Sequence, residues 1–249
     1  MLVLLRVALA ASLSLCGSVA AQQPETVPKT IEDILVQLKS IKPDEAVLAQ
    51  AAATLASEPP AGADRATLAK FYLARSLANR TGGTLEQMLQ DTRKAAELAR
   101  GMNNSLEWDS LIDLSAAEVL GGNYLNGIKA RDEMSRAFVY RGAKYSTSAY
   151  AAAACLRADI GDVDRADQAL RSAETILSQL PRYQDLSFWV GQIERCRARV
   201  LRAKGKYTEA ETTLRVAISN SDKAINNIQG LQEVVWVILE CFRVRGACK

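Results

Sequence analysis

The sequence predicts an all-α chain built of repeated helix–turn–helix units, and three observations carry that prediction. Ala, Leu, Arg, Glu and Gln abound, alternating β-branched residues are scarce and only 6 of 249 residues are Pro, so local propensities sum towards helix. Turn glycines recur at Gly83, Gly122, Gly161 and Gly205, spaced 39, 39 and 44 residues apart. Each opens a similar run. Small residues stand five and twelve positions beyond it at Ala166 and Ala173 and at Ala210 and Ala217, with Ala95 and Gly127 in the other two units and Met88 and Met134 as departures. Residues seven apart share a helix face, so each pair marks where a second helix closes on its neighbour. Recurrence at such a period is the mark of stacked supersecondary units.

Composition bounds the function. With 49% hydrophobic and 24% charged residues the chain can bury a large core. Lys and Arg number 31 against 28 Asp and Glu, a net charge of +3. The basic residues are dispersed and lack an aromatic stacking surface, so nucleic acid is not an expected partner. The chain contains no His, which removes Ser-His and Cys-His nucleophile pairs and the commonest metal ligand. Gly82-Gly83 and Gly121-Gly122 neither follow a strand nor lead into a GK[ST] continuation, so they read as helix ends rather than phosphate loops. No enzyme activity and no cofactor are expected.

Taken in order, residues 1–21 have the profile of a signal peptide. Arg6 is the only charge, Val7 to Leu15 is apolar, and Ser18-Val19-Ala20 or Val19-Ala20-Ala21 offers small residues for cleavage. Lipid attachment at Cys16 is the competing reading, but Leu15 stands where a small residue is required. No other run approaches the ~20 apolar residues of a spanning helix. The expected product is exported, periplasmic or secreted, with no stable membrane insertion after cleavage. Residues 22–29, with Pro24 and Pro28, form a flexible lead-in. Residues 30–58 read as a helix pair. Thr30 caps the first helix, Ile31, Ile34, Leu35 and Leu38 mark its apolar face, and Pro43 starts the second, in which Ala46 and Ala53 are seven apart. Residues 59–64, opening with Pro59-Pro60, make a linker, and 65–245 hold the repeats. The last helix, Leu231 to Arg245, is strongly apolar and unpaired, and 246–249 are a tail.

The best unit is Lys204-Gly205-Lys206-Tyr207-Thr208-Glu209-Ala210-Glu211, followed by Leu214, Ala217 and Ile218. Gly205 can end one helix with φ > 0, Tyr207 is bulky enough to plug the corner, and Ala210 and Ala217 allow close approach. This spacing resembles the centre of a tetratricopeptide (TPR) repeat, with a turn glycine, an aromatic at +2 and Ala at +5 and +12. The resemblance implies a right-handed superhelix of degenerate TPR-like repeats, an α-solenoid. The glycine spacing exceeds the ~34-residue TPR period, so the helices should be longer. First helices would line a concave groove that binds protein or peptide. The mature chain also resembles the N-terminal half of exported bacterial proteins that carry such repeats ahead of a CHAT domain, a caspase-like cysteine-protease fold. The residues behind this are Glu58-Pro59-Pro60-Ala61-Gly62, Phe71-Tyr72-Leu73-Ala74-Arg75 and Arg197-Ala198-Arg199-Val200-Leu201. CHAT enzymes use a His and a Cys, and no position here matches those motifs. The expected function is therefore a non-catalytic scaffold. The alternative is the recognition arm of a CHAT-type protease whose catalytic half lies outside this chain.

Two sets of residues are candidate sites. Cys155, Cys196 and Cys241 are 41 and 45 residues apart, about one repeat each, which places them at similar heights on successive first helices. The preferred reading is buried small hydrophobes, with a Cys155–Cys196 disulfide as the alternative. Cys248 is expected to be the exposed thiol. No close Cys-x₂-Cys pair exists, so zinc is not expected. Trp189, Ile193, Cys196 and Val200 form an apolar stripe, and Arg195, Arg199 and Arg202 run beside it at i, i+4 and i+7. In a groove these Arg would hold the carboxylates of an acidic protein or peptide bidentately. The preferred reading of the row is nonetheless a solvated face paired with nearby Glu.

Overall fold

The computed structural model describes residues 44–137, 142–181 and 185–224, with side chains as far as residue 220. The expected signal peptide, lead-in, helix from Thr30, last apolar helix and tail, together with Cys241 and Cys248, lie outside these residues. The chain divides after Asp44 into two units, and everything below belongs to the second.

Among the described residues there are nine helices and no strand. They are α1 (Glu45–Ala56), α2 (Arg65–Gly82), α3 (Leu85–Ala99), α4 (Ser105–Leu120), α5 (Tyr124–Ala137), α6 (Ala143–Asp159), α7 (Val163–Ser178), α8 (Ser187–Ala203) and α9 (Tyr207–Ala224). Side-chain caps start three of them. Asp64 accepts from Thr67 N, Thr84 from Gln87 N and Asn104 from Glu107 N, each satisfying a donor that the first turn leaves open.

The turn glycines close three of the corners by one mechanism. Gly122, Gly161 and Gly205 have φ of +79°, +80° and +75°, the left-handed region that a Cβ disfavours. Beyond Gly205, Lys206 N donates to Leu201 O and Gly205 N to Arg202 O, both at 2.9 Å, the paired bonds of a Schellman cap. The same pair recurs as Asn123 to Glu118 with Gly122 to Val119, and as Asp162 to Arg157 with Gly161 to Ala158. Gly83 departs from this, with φ of −110°. It is glycine for space: a Cβ there would collide with the Asn79 side chain, and Thr84 starts the next helix in its place.

Packing follows the repeat. The positions five and twelve beyond the glycines are buried in all four units, Met88 and Ala95, Gly127 and Met134, Ala166 and Ala173, Ala210 and Ala217. Each helix packs on its neighbour in sequence, and α2 also packs on α4 and α6 on α8. Helix α6 lies against α5, α7 and α8, which is why Ala149, Ala151, Ala153 and Ala154 are all fully buried around it. Small side chains let three neighbours approach one helix.

Two expectations are corrected here. Ala46 and Ala53 are exposed on α1, where Ala51 is the buried residue, so the seven-residue pairing does not extend to this helix. Tyr207 is 36% exposed and does not plug its corner, because the Schellman bonds close the turn without it. Ala210, by contrast, is fully buried with Ala198, Leu214 and Ala217. Ala210→Leu is therefore expected to overpack the α8–α9 contact and cost about 1–3 kcal/mol, read by thermal or urea unfolding. A change within error would mean that this contact has room to spare.

Candidate functional site

The candidate site is built on α8 and the helix beside it, α6. The apolar stripe of α8 is placed as its spacing requires, with Ile193, Cys196 and Val200 buried against α6 and α7 and Trp189 packed at the edge. Across this contact Cys155 and Cys196 are joined by a disulfide, with Cα atoms 4.7 Å apart. The preferred reading of two separate buried thiols is thus corrected. One repeat of separation put them at one height, and the small residues Ala151, Ala154 and Ala158 of α6 let the backbones close within bridging distance.

The Arg row does not form a solvated face, which corrects that reading. Arg199 is only 8% exposed, and its Nη1 donates to Asp159 Oδ2 at 2.7 Å. Arg202 Nη2 donates to Asp159 Oδ1 at 3.3 Å, and Arg195 Nη1 lies 3.7 Å from Cys155 Sγ. The three guanidiniums therefore run along α6, with Asp159 as the carboxylate that anchors two of them. Removing all three cannot be a purely surface change, because Arg199 is part of the packed interior.

The same device recurs at other helix boundaries. Arg80 of α2 pairs with Asp113 of α4, whose carboxylate also accepts from Ser76. Asp91 of α3 accepts from Arg75 and Asn79 of α2. Glu118 of α4 accepts from Arg93 Nε at 2.7 Å and from Asn123, and the Arg93 hydrogen bond holds its pKa below the usual range. Arg157 of α6 donates to Asp132 of α5 at 2.7 Å. These carboxylates are buried or half-buried and hydrogen-bonded, as low-dielectric sites require. They read as register-setting contacts between helices, not as acid–base machinery.

Arg131 on α5 is placed differently. Its Nε donates to Ser115 Oγ at 3.0 Å, that hydroxyl donates to the Gly127 carbonyl at 3.0 Å, and its Nη1 lies 3.8 Å from Met134 Sδ. Burial pushes its pKa down to about 10, and the neighbouring charge of Arg195 adds to the shift.

A cleft of about 350 Å³ opens between α7 and α8, lined by Leu177, Leu186, Ile193, Glu174, Glu194 and Arg197. Burial raises the pKa of Glu194, and Arg197 partly offsets that rise. Among the described residues no cluster of three or more metal-ligating side chains is present, and no helix is long and apolar enough to cross a membrane.

Sequence reasoning missed Asp159 and Arg131. For Asp159 a signal existed: it lies 40 residues before Arg199, as Cys155 lies 41 before Cys196, so one repeat of offset brings opposite charges together. For Arg131 none did, since its setting depends on a hydroxyl from another helix.

No protein-family model, curated protein or solved structure matches this chain. The site is read from its own geometry.

Proposed function

We propose that this chain is an exported, non-catalytic scaffold of TPR-like repeats, wound as a right-handed superhelix, that binds a protein or acidic peptide through the α6–α8 region. One observation carries the reading. All four glycine-led units bury the same two positions, and α2–α4 and α6–α8 contacts accompany the neighbour-to-neighbour packing, as hairpins stacked in two pairs would. A row of guanidiniums along one such contact suits carboxylates, because each fork can donate two parallel N–H bonds to a carboxylate's two oxygens. In this reading Asp159 holds Arg199 and Arg202 in place, and Arg195, half-buried beside Cys155, contributes its guanidinium to the partner-facing end of the row.

The test begins with a pull-down from periplasmic extract using the mature protein, followed by titration of the captured partner. Arg195→Gln is expected to weaken binding about tenfold while helix content stays intact. The difference should shrink as salt rises, since the screening length falls from ~10 Å at 0.1 M to ~3 Å at 1 M. Equal affinity of the folded variant and the parent would remove Arg195 from the binding face.

A further inference from the structure

The cleft between α7 and α8 has a graded wall. Leu186 at the start of α8, Val190 and Ile193 face it at helical spacing, and α7 meets them with Leu177 and, just past its last turn, Leu180. Leu177 and Ile193 belong to the buried core, and the other three pack half-buried against it, so this floor is held in shape by packing. The charged residues lie further along both helices. Glu174 stands three residues before Leu177, Glu194 four after Val190, and Arg197 four after Ile193. The apolar end of the cleft is therefore at the α7–α8 corner, and the polar end is about a turn beyond it.

The charges at the polar end do not balance. Arg197 Nη2 donates to Glu174 Oε1, and its Nε lies 3.0 Å from Glu194 Oε2. One guanidinium thus serves two carboxylates, and the cleft is lined by no second cation. Burial raises the pKa of Glu194, the charge of Glu174 adds to the rise, and Arg197 opposes it. A further cation beside the pair would favour the ionised carboxylates, and it would gain more there than in open water because Glu194 is half-buried. Size limits the ligand as well. At about 350 Å³ the cleft is near the lower end of the volumes that hold small molecules, with room for one compact body rather than a length of peptide.

We propose that this cleft binds a small amphiphilic cation, its apolar body against Leu177, Leu186 and Val190 and its ammonium or guanidinium head beside Glu174 and Glu194. The site does not rest on the proposed function, whose partner is acidic and engages the Arg row.

Titration calorimetry of the whole mature protein at neutral pH and constant ionic strength tests this. Hexylamine, a cation under these conditions, is the probe, and hexanol and hexanoate are its neutral and anionic counterparts. Hexylamine should bind the parent about tenfold more tightly than either counterpart. Glu174→Gln and Glu194→Gln each leave Arg197 balanced by the remaining carboxylate, so each should weaken hexylamine about tenfold and leave hexanol unchanged. Glu86→Gln, which removes the same charge from an exposed position on α3, should bind as the parent does. Either cleft variant supplies the comparison if circular dichroism shows that the other does not fold. Equal binding of hexylamine and hexanol by the parent would overturn the cationic head. Hexylamine affinity unchanged in both cleft variants would place the amine elsewhere and overturn the site. A blocked Leu-Lys dipeptide that binds where hexylamine does not would overturn the free amine as the ligand. If none of these probes binds the parent, the inference fails.

Discussion

Asp159→Ala should destabilise the protein by about 3–5 kcal/mol, the cost of removing one partner from a buried ion pair. The size follows from who is left behind. Arg199 is 8% exposed and Arg202 half-buried, and both donate to the two oxygens of this one carboxylate. Without it, two cations keep their desolvation penalty and lose the α6 anion that offset it. Exposed pairs behave otherwise, typically contributing no more than about 1 kcal/mol. Urea unfolding of parent and variant measures the difference. A loss under about 1 kcal/mol would show that water screens this pair. Combining Asp159→Ala with Arg199→Met should recover part of the loss, because a well-packed apolar side chain can replace a buried charge at little cost.

The Cys155→Ala, Cys196→Ala double variant should lose about 2–4 kcal/mol relative to the oxidised parent. The bridge spans 41 residues and closes a loop that contains the whole of α7, so it restricts the unfolded chain substantially. Both sulfurs are buried, and Ala fills the site only in part, adding a small cavity term. Under a thiol reductant strong enough to open the bridge, the parent should fall towards the variant, whose own midpoint should barely move. Equal stability of the two proteins without reductant would mean that native-state strain cancels the restriction.

What was legible in the sequence was what local rules control. The helices are set by propensity and caps, and the corners at Gly122, Gly161 and Gly205 by the need for a left-handed residue. The paired positions beyond them are set by face periodicity. Gly83 was recognised as a corner for the wrong reason, because closeness to Asn79 and a left-handed turn both select glycine. Tyr207 misled because hydrogen bonds alone can close a corner that an aromatic would otherwise fill. Height along the repeat was readable for Cys155 and Cys196, but lateral distance was not. That distance depends on how small the residues of α6 are and on how many helices crowd it. The Arg row was visible, yet its direction was not: a row at i, i+4 and i+7 looks the same whether it meets water or an aspartate one repeat earlier. The setting of Arg131 required Ser115 and Arg195 from two other helices, which no one-dimensional pattern brings together.

The bridge between α6 and α8 also decides how the chain would respond to mechanical load. Tension applied along the polypeptide passes from Cys155 to Cys196 through the sulfurs, so the 40 residues strictly between them bear no force while the bond is intact. The greatest length to which the chain can be drawn is then shorter by about 140 Å, at ~3.5 Å per extended residue. Helix α7 is shielded from the pull and can come apart only by thermal opening, whereas α2 to α5 lie directly in the line of tension.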